Sequence, residues 1–348
     1  MTRKTLTGLI AGLTLVAACG SDPEPVAEPA TEPATEPAPT TSEAEFSEPE
    51  PDLPAEPEPE VTEEAVEPEE AVEPEAEPEP EETYPSRIVS LSPTATEMLY
   101  AIGAGDQVIA VDDFSNYPAE TADKMPGISG YDPNVEAILA LEPDLIVTEG
   151  SNPDLIEQIE RVGIAHWAGP AAVGLDDVYA QIEQLGAATG HLDAAVALTA
   201  DMSTRVDAVL ARIAELDNEP LSFYHELDPT FYSVTSQTFI GTVYGLLGLV
   251  NIADAIEEES YGYPQLSAEF ILDADPDLIF LACTKYCGET FDTVAARPGW
   301  DTLAAVANGN VIELDDDIAS RWGPRIVDHI EQVVDAVDTV VAGATAAA

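Results

Sequence analysis

Two twelve-residue segments of this chain repeat one another, and no other feature constrains the fold as tightly. EAILALEPDLIV occupies 136–147 and EFILDADPDLIF occupies 269–280. Each reads as an acid, an apolar helical turn, an acidic-Pro-Asp break and an apolar strand. Proline cannot continue a helix, so each copy must turn from helix to strand at the same step. Strands alternate with helical patterns around both copies, which predicts two α/β lobes with parallel, doubly wound sheets. A cleft between two such lobes is a common place for a small-molecule site.

The stretch RIVSLSPTATEMLYAIG (87–103) opens the first lobe. Ile88, Val89 and Leu91 form an apolar run of strand type, and Met98, Leu99 and Ile102 share one helical face. The helix has two possible starts: Ser92 as cap with Pro93 at the first helical position, or a Thr94/Glu97 capping box. Either aims free N–H groups past the strand's carboxyl end, where ligands bind in open α/β sheets. Further along, VIAV reads as a strand, Val135–Ile138–Leu139 as a helix face and Leu145 to Val147 as a strand. A helix over 155–162, a strand ending in His166–Trp167 and a helix over 175–189 complete the lobe, taken as 87–190. Residues 191–216 hold no Gly or Pro and carry Val196, Leu198, Met202, Val206, Val209, Leu210 and Ile213 at helical spacing, so 191–217 is expected to be one long helix between the lobes. The second lobe, 218–348, contains the strand LSFYHEL, a helix over 238–247, the second repeat with its strand PDLIFLA, the short strand VIEL and a last amphipathic helix over 325–341.

Both ends differ from this body. Residues 1–19 carry Arg3 and Lys4, an apolar stretch from Leu6 to Val16, and small residues before Cys19. That is an export signal, too short to span a membrane. Residues 20–86 contain no Lys or Arg and alternate Pro with Glu. Such a tract cannot bury enough apolar area to offset its ordering entropy and reads as an extended, disordered stalk. Of 68 acids, 24 lie there, leaving 44 against nine Lys and Arg in the body. So acidic a surface argues against nucleic acid as a partner and points weakly to a saline setting.

Nothing in the chain offers catalysis. There is no G-x-S-x-G elbow, no phosphate-binding P-loop and no H-E-x-x-H. His166, His191, His225 and His329 are scattered without metal-ligand spacing, and an acidic pair such as Asp112–Asp113 reads as solvated surface. Neither an enzyme nor a metal site is expected. Aromatic residues make up only 6% of the chain, yet Tyr117, Tyr131, Trp167, Phe231, Tyr232, Tyr261, Tyr263 and Trp322 fall just after expected strands or in loops. That placement suggests a cleft holding a large planar or greasy ligand by ring faces. Arg321 and Arg325 stand out in a body poor in basic residues, the latter at the start of a helix and suited to an ion pair. Cys283 and Cys287 bracket a three-residue turn, and in an exported protein a local disulfide is expected.

RIVSLSPTATEMLYAIG, SNYP, the two repeats, YPQLS and SRWGPRIVD, in that order, closely resemble the substrate-binding proteins of bacterial ABC importers. Within these they are similar to the family that carries cobalamin, ferric siderophores and haem, over nearly all of 87–342. The resemblance implies two α/β lobes bridged by one rigid helix, and a leader whose Cys19 is the lipidated N-terminus. It places Tyr117, Tyr131, Trp167, Tyr232 and Tyr263 at ligand-lining positions. It matches Arg321 to a pocket arginine able to pair with a phosphate, propionate or siderophore oxygen, with Asp317 orienting it and Trp322 alongside. It also matches Glu136 and Glu269, one per lobe, to surface glutamates that dock onto permease arginines. The expected protein is a monomeric, lipid-anchored receptor outside the cytoplasmic membrane, with no resident cofactor. Its ligand would be a corrinoid or an iron chelate, its partners the ABC permease subunits, and the membrane would be met only through the anchor. A ferric-siderophore or haem receptor is the alternative within the family. A stalked surface enzyme or adhesion module on the same fold is the alternative outside it.

Overall fold

The computed structural model describes residues 83–347, apart from 217 and 257–259. The expected export signal with Cys19 and nearly all of the expected acidic stalk lie outside the described residues. The first lobe runs β1 (Ile88–Ser90), α1 (Pro93–Ala101), β2 (Val108–Val111), α2 (Val135–Leu139), β3 (Leu145–Thr148), α3 (Pro153–Val162), β4 (Ala165–Ala168) and α4 (Leu175–Thr189). After α5 (Leu192–Ala214), the second lobe runs β5 (Ser222–Glu226), α6 (Phe239–Leu246), β6 (Val250–Asn251), α7 (Ala268–Ala274) and β7 (Leu278–Leu281). It closes with α8 (Phe291–Ala295), α9 (Ala304–Ala307), β8 (Val311–Glu313), α10 (Asp316–Ser320) and α11 (Ile326–Ala347). Each lobe has one four-stranded parallel sheet, in the orders β2-β1-β3-β4 and β6-β5-β7-β8. In both, the chain lays a strand to one side of the first and then crosses to the other. Each sheet therefore has a switch point between its first and third strands, the place where open α/β sheets can form a crevice.

The repeat is preserved to the level of single hydrogen bonds. Asn134 caps α2 and Ser267 caps α7, each accepting from the third residue on. The residue before each Pro-Asp, Glu142 in one copy and Asp275 in the other, turns the chain with a left-handed φ of 50° and 44°. The following aspartate then reaches the adjoining first strand. Asp144 accepts from Ser86 and from the Arg87 N–H, and Asp277 accepts from the Ser222 N–H and hydroxyl at 2.8 Å. One acidic side chain thus registers the third strand against the first in both lobes.

At the head of α1, Ser92 is the cap, accepting from the Ala95 N–H with Pro93 next, so no Thr94/Glu97 box forms. Glu97 is released for another purpose, described below. The long helix expected from 191 onward is α5, packed on α4 and on α11. Gly186 of α4 lets the two come close, since a Cβ there would stand 2.4 Å from that of Ala195. On the other side Arg205 and Arg212 of α5 pair with Asp328, Glu331, Asp335 and Asp338 of α11. Met202, Val206 and Val209 of α5 join one apolar cluster that runs from Ile88 and Met98 in the first lobe to Phe223, Phe280 and Val333 in the second. The lobes are joined by a shared core as well as by the chain.

Candidate ligand-binding site

A cavity of about 540 Å³ opens at the switch point of the first lobe and is closed by the second. Leu91, Pro93 and Thr94 reach it from the end of β1, Glu149, Ser151 and Asn152 from the end of β3, and Asp112 and Phe114 from beyond β2. The loop before α2 adds Gly130 and Tyr131. From the second lobe come Tyr286, Asp317, Ser320, Arg321 and Trp322. Phe114, Tyr131 and Tyr286 are exposed aromatics at this rim, with Tyr131 edge-on to Phe114 at 5.1 Å. Trp322 is more deeply set, its indole N–H donating to Gln181 at 3.1 Å.

The wall facing the second lobe is tied together by buried charge. Arg321 donates to Glu97 Oε1 at 2.9 Å, Asp317 Oδ1 at 2.8 Å, Asn116 Oδ1 at 3.0 Å and the Phe114 carbonyl at 3.0 Å. Arg325 grips both oxygens of the same Glu97, at 2.6 and 2.9 Å. Because α1 carries Glu97 and both arginines follow α10, these bonds fasten one lobe to the other. Asp317 also accepts from Lys285 Nζ, Tyr286 Oη and Asn116 Nδ2. Burial alone would raise its carboxyl, but these donors and Arg321 hold it below the ordinary range. Its neighbour Asp316 receives the backbone N–H groups of Thr284, Lys285 and Tyr286. Those three residues sit inside the ring closed by the Cys283–Cys287 disulfide, whose Cα atoms are 5.1 Å apart. The short ring presents Lys285 and Tyr286 to the cleft in a fixed attitude.

Of the residues singled out in the sequence, Tyr131, Asp317, Arg321 and Trp322 line this cavity. Four others are not among its lining residues. Tyr117 stacks under the Arg325 guanidinium at 4.0 Å and lines a separate hollow of about 420 Å³ beside α5. Trp167 lies along the edge strand β4, folds over Gly169 and packs against the core. Tyr232 forms an isolated bridge with Gln265, and Tyr263 lies in the loop before α7 with its backbone bonded to Ser260. Glu136 and Glu269 are exposed at the second position of α2 and α7, at equivalent steps of the repeat. The reading of Asp112 as solvated surface is overturned. It is fully buried and accepts from the Phe114 and Ser115 N–H groups, and burial outweighs those bonds to raise its carboxyl. Sequence reasoning also missed Phe114, Glu149 and Tyr286. Phe114 and Glu149 each fall just beyond a strand of the first sheet, and strand ends are the signal that could have found them.

Among the described residues no group of His, Cys, Asp and Glu is placed to hold a metal ion, and no helix is long and apolar enough to cross a membrane. The model of the family described as periplasmic binding protein matches residues 88–318. The cobalamin-binding protein of Halobacterium salinarum (strain ATCC 29341 / DSM 671 / R1) is 30% identical over 262 residues, covering 73% of this chain and 70% of that protein. An uncharacterised ABC transporter substrate-binding lipoprotein, YvrC of Bacillus subtilis (strain 168), is 29% identical over 260 residues, covering 73% and 80%. Among solved structures, the periplasmic vitamin B12 binding protein BtuF of Vibrio cholerae superposes with a TM-score of 0.62 at 28% identity, covering 74% of this chain and 98% of that one. With two parallel-sheet lobes, a cavity between them and a family match over most of the body, this chain belongs to the periplasmic binding protein family.

Proposed function

We propose that the chain is an extracytoplasmic receptor that captures a corrinoid, cobalamin or a close relative, in the cavity at the first lobe's switch point and delivers it to an ABC permease. The observation that carries this reading is the rim. Three exposed aromatic residues, Phe114, Tyr131 and Tyr286, together with Trp322, line a cavity of about 540 Å³ backed by polar groups. Ring faces of this kind hold large flat ligands. The relatives named for cobalamin at about the same identity support the same choice. Cys19 is proposed as the lipid-bearing residue, and Glu136 and Glu269 as the docking pair for the permease. Binding and delivery leave the ligand chemically unchanged, so no residue is given a catalytic role.

The direct test is a thermal-shift and titration panel of cyanocobalamin, cobinamide, haemin and several ferric siderophores. Saturating corrinoid at about a hundred times its Kd should add about 2.7 kcal/mol to stability and raise Tm by several degrees. Tyr131→Ala should weaken corrinoid binding by about 1 kcal/mol while leaving the unliganded Tm in place. A shift with haemin or a ferric siderophore and none with either corrinoid would replace the ligand. A shift with none of the panel would remove the receptor reading.

A further inference from the structure

The cavity wall carries a carboxylate that the protein leaves unanswered. Glu149 stands immediately after β3, half-buried, with no hydrogen bond or ion pair to any described residue. Behind it Asp112 is wholly buried, its oxygens bonded to Phe114 and Ser115. Burial first, and then the Asp112 charge, push the Glu149 carboxyl above its ordinary value, against the smaller pull of the Arg321 charge, which reaches it without a bond. Asp317 is a third carboxylate of the wall. Arg321, the one guanidinium among the described residues there, has four protein acceptors at 2.8–3.0 Å and little left for a ligand.

Position sharpens the point. The ends of β1 and β3 are where helix N-termini would greet a ligand's anion. Here the Ser92 hydroxyl and the Asn152 side-chain oxygen already cap α1 and α3. Glu149 then adds a carboxylate to the lining of the same cavity. A half-buried carboxylate lacking donors is satisfied by an amide or ammonium N–H. It repels a second carboxylate, and like-charge juxtaposition of this kind is how binding surfaces suppress wrong partners.

We infer that Glu149 is the specificity-determining residue of this cleft, selecting chelates whose rim presents carboxamide or amine donors and rejecting chelates whose rim carries carboxylate or catecholate oxygens. The inference rests on the receptor reading above and narrows it to neutral or cationic chelates. A corrin fringed with carboxamides meets the requirement, and a porphyrin with two propionates does not.

The test is calorimetric titration of the full chain and of its Glu149→Gln variant, at low ionic strength, with cyanocobalamin, haemin and a cationic ferric trihydroxamate. Monocarboxylate derivatives of cyanocobalamin, in which one rim carboxamide is hydrolysed, form the matched pair. The native chain should bind cyanocobalamin or the cationic chelate tighter than haemin by about tenfold or more, and at least one monocarboxylate should bind weaker than its parent. Glu149→Gln should narrow both ratios by about threefold or more while the circular dichroism spectrum is unchanged. Haemin binding to the native chain as tightly as the other probes, or ratios unmoved by Glu149→Gln, would overturn the role of Glu149 and leave the receptor reading standing. Failure of every probe to bind either folded chain would overturn both.

Discussion

At the carboxyl ends of β1 and β3 the first lobe leaves an opening, whereas at the ends of β5 and β7 the second lobe fills the same space with its own side chains. The two sheets share strand order and register, so the comparison can be made residue by residue. The hydroxyl of Ser90, which faces Val147, bonds to small neighbours such as Thr96. At the same step His225, facing Phe280, packs on Tyr244 and bonds its hydroxyl at 2.9 Å. One residue on, Leu91 borders the cavity while Glu226 is buried and clasped by both terminal nitrogens of Arg297, at 2.6 and 2.7 Å. That guanidinium lies over the rings of Trp300 and Phe231. After β3 stands the unpaired Glu149, and after β7, at the matching place, stands Ala282. Duplicated architecture therefore does not duplicate the site. One copy keeps Glu149 open at the crevice, and the other clasps Glu226 internally and serves as a support.

If that division is right, the largest effect should come from breaking the internal pair of the second lobe. Arg297→Ala strands Glu226 in an apolar setting and should cost about 3–5 kcal/mol in urea unfolding. Glu149→Ala, at the matching end of the first lobe, should stay within about 0.5 kcal/mol of the native value. Equal losses in the two variants would erase the distinction between the lobes.

Acid should also find the second lobe first. Burial lowers His225 to about 3 and His329 to about 4, both below the ordinary imidazole value, and His329 depresses His225 further. The unfolded chain then binds more protons than the folded one below pH 6.5. The stability is complete above that pH and declines as pH falls toward 4, by about 2 kcal/mol per histidine at pH 5. The raised carboxyls of Asp112, Glu149 and Glu226 act in the opposite direction. The sensitive readout is therefore the difference between the native chain and His329→Leu, whose pH profile should be flatter. Superimposable profiles would show that this buried imidazole does not contribute.

The smallest stability effect is expected where the lobes look most alike. Glu136→Arg and Glu269→Arg alter one exposed acid in the first turn of matching helices, a change of a few tenths of a kcal/mol. Ligand affinity should hold. Uptake into vesicles bearing the cognate permease should fall in each variant and nearly vanish in the double variant, with partial rescue by reversing the permease arginines. Undiminished uptake by the double variant would remove the docking assignment.

Much of the architecture was legible because it is periodic. Met98, Leu99 and Ile102 are all buried as their helical spacing requires, and every strand read from an apolar run is present. The short pieces β6, α8, α9 and α10 escaped, since two to five residues give no period to read. The site was only half legible. Cysteine spacing, read together with an expected export signal, pointed to the disulfide. Arg321, by contrast, draws its partners from positions 97, 114, 116 and 317, and no local pattern brings those together. Asp112 was misread because composition describes the average acid of this chain, and a carboxylate enclosed by its own turn is not average.

The α5 strut has a consequence for how the molecule could be read by a partner. A helix packed on α4 by a glycine contact, strapped to α11 by two arginines and sharing a core with both sheets leaves little slack between the lobes. On the docking role proposed for Glu136 and Glu269, the span between them should act like a gauge block, set before any ligand arrives. Scattering from a stalk-free chain should give nearly the same radius of gyration empty and full. A receptor of this build cannot announce its cargo by closing like a jaw. Whatever distinguishes the loaded form must be written in the crevice itself, in ring faces covered and a carboxylate answered, and a membrane partner that grips both lobes would grip the vacant form almost as well.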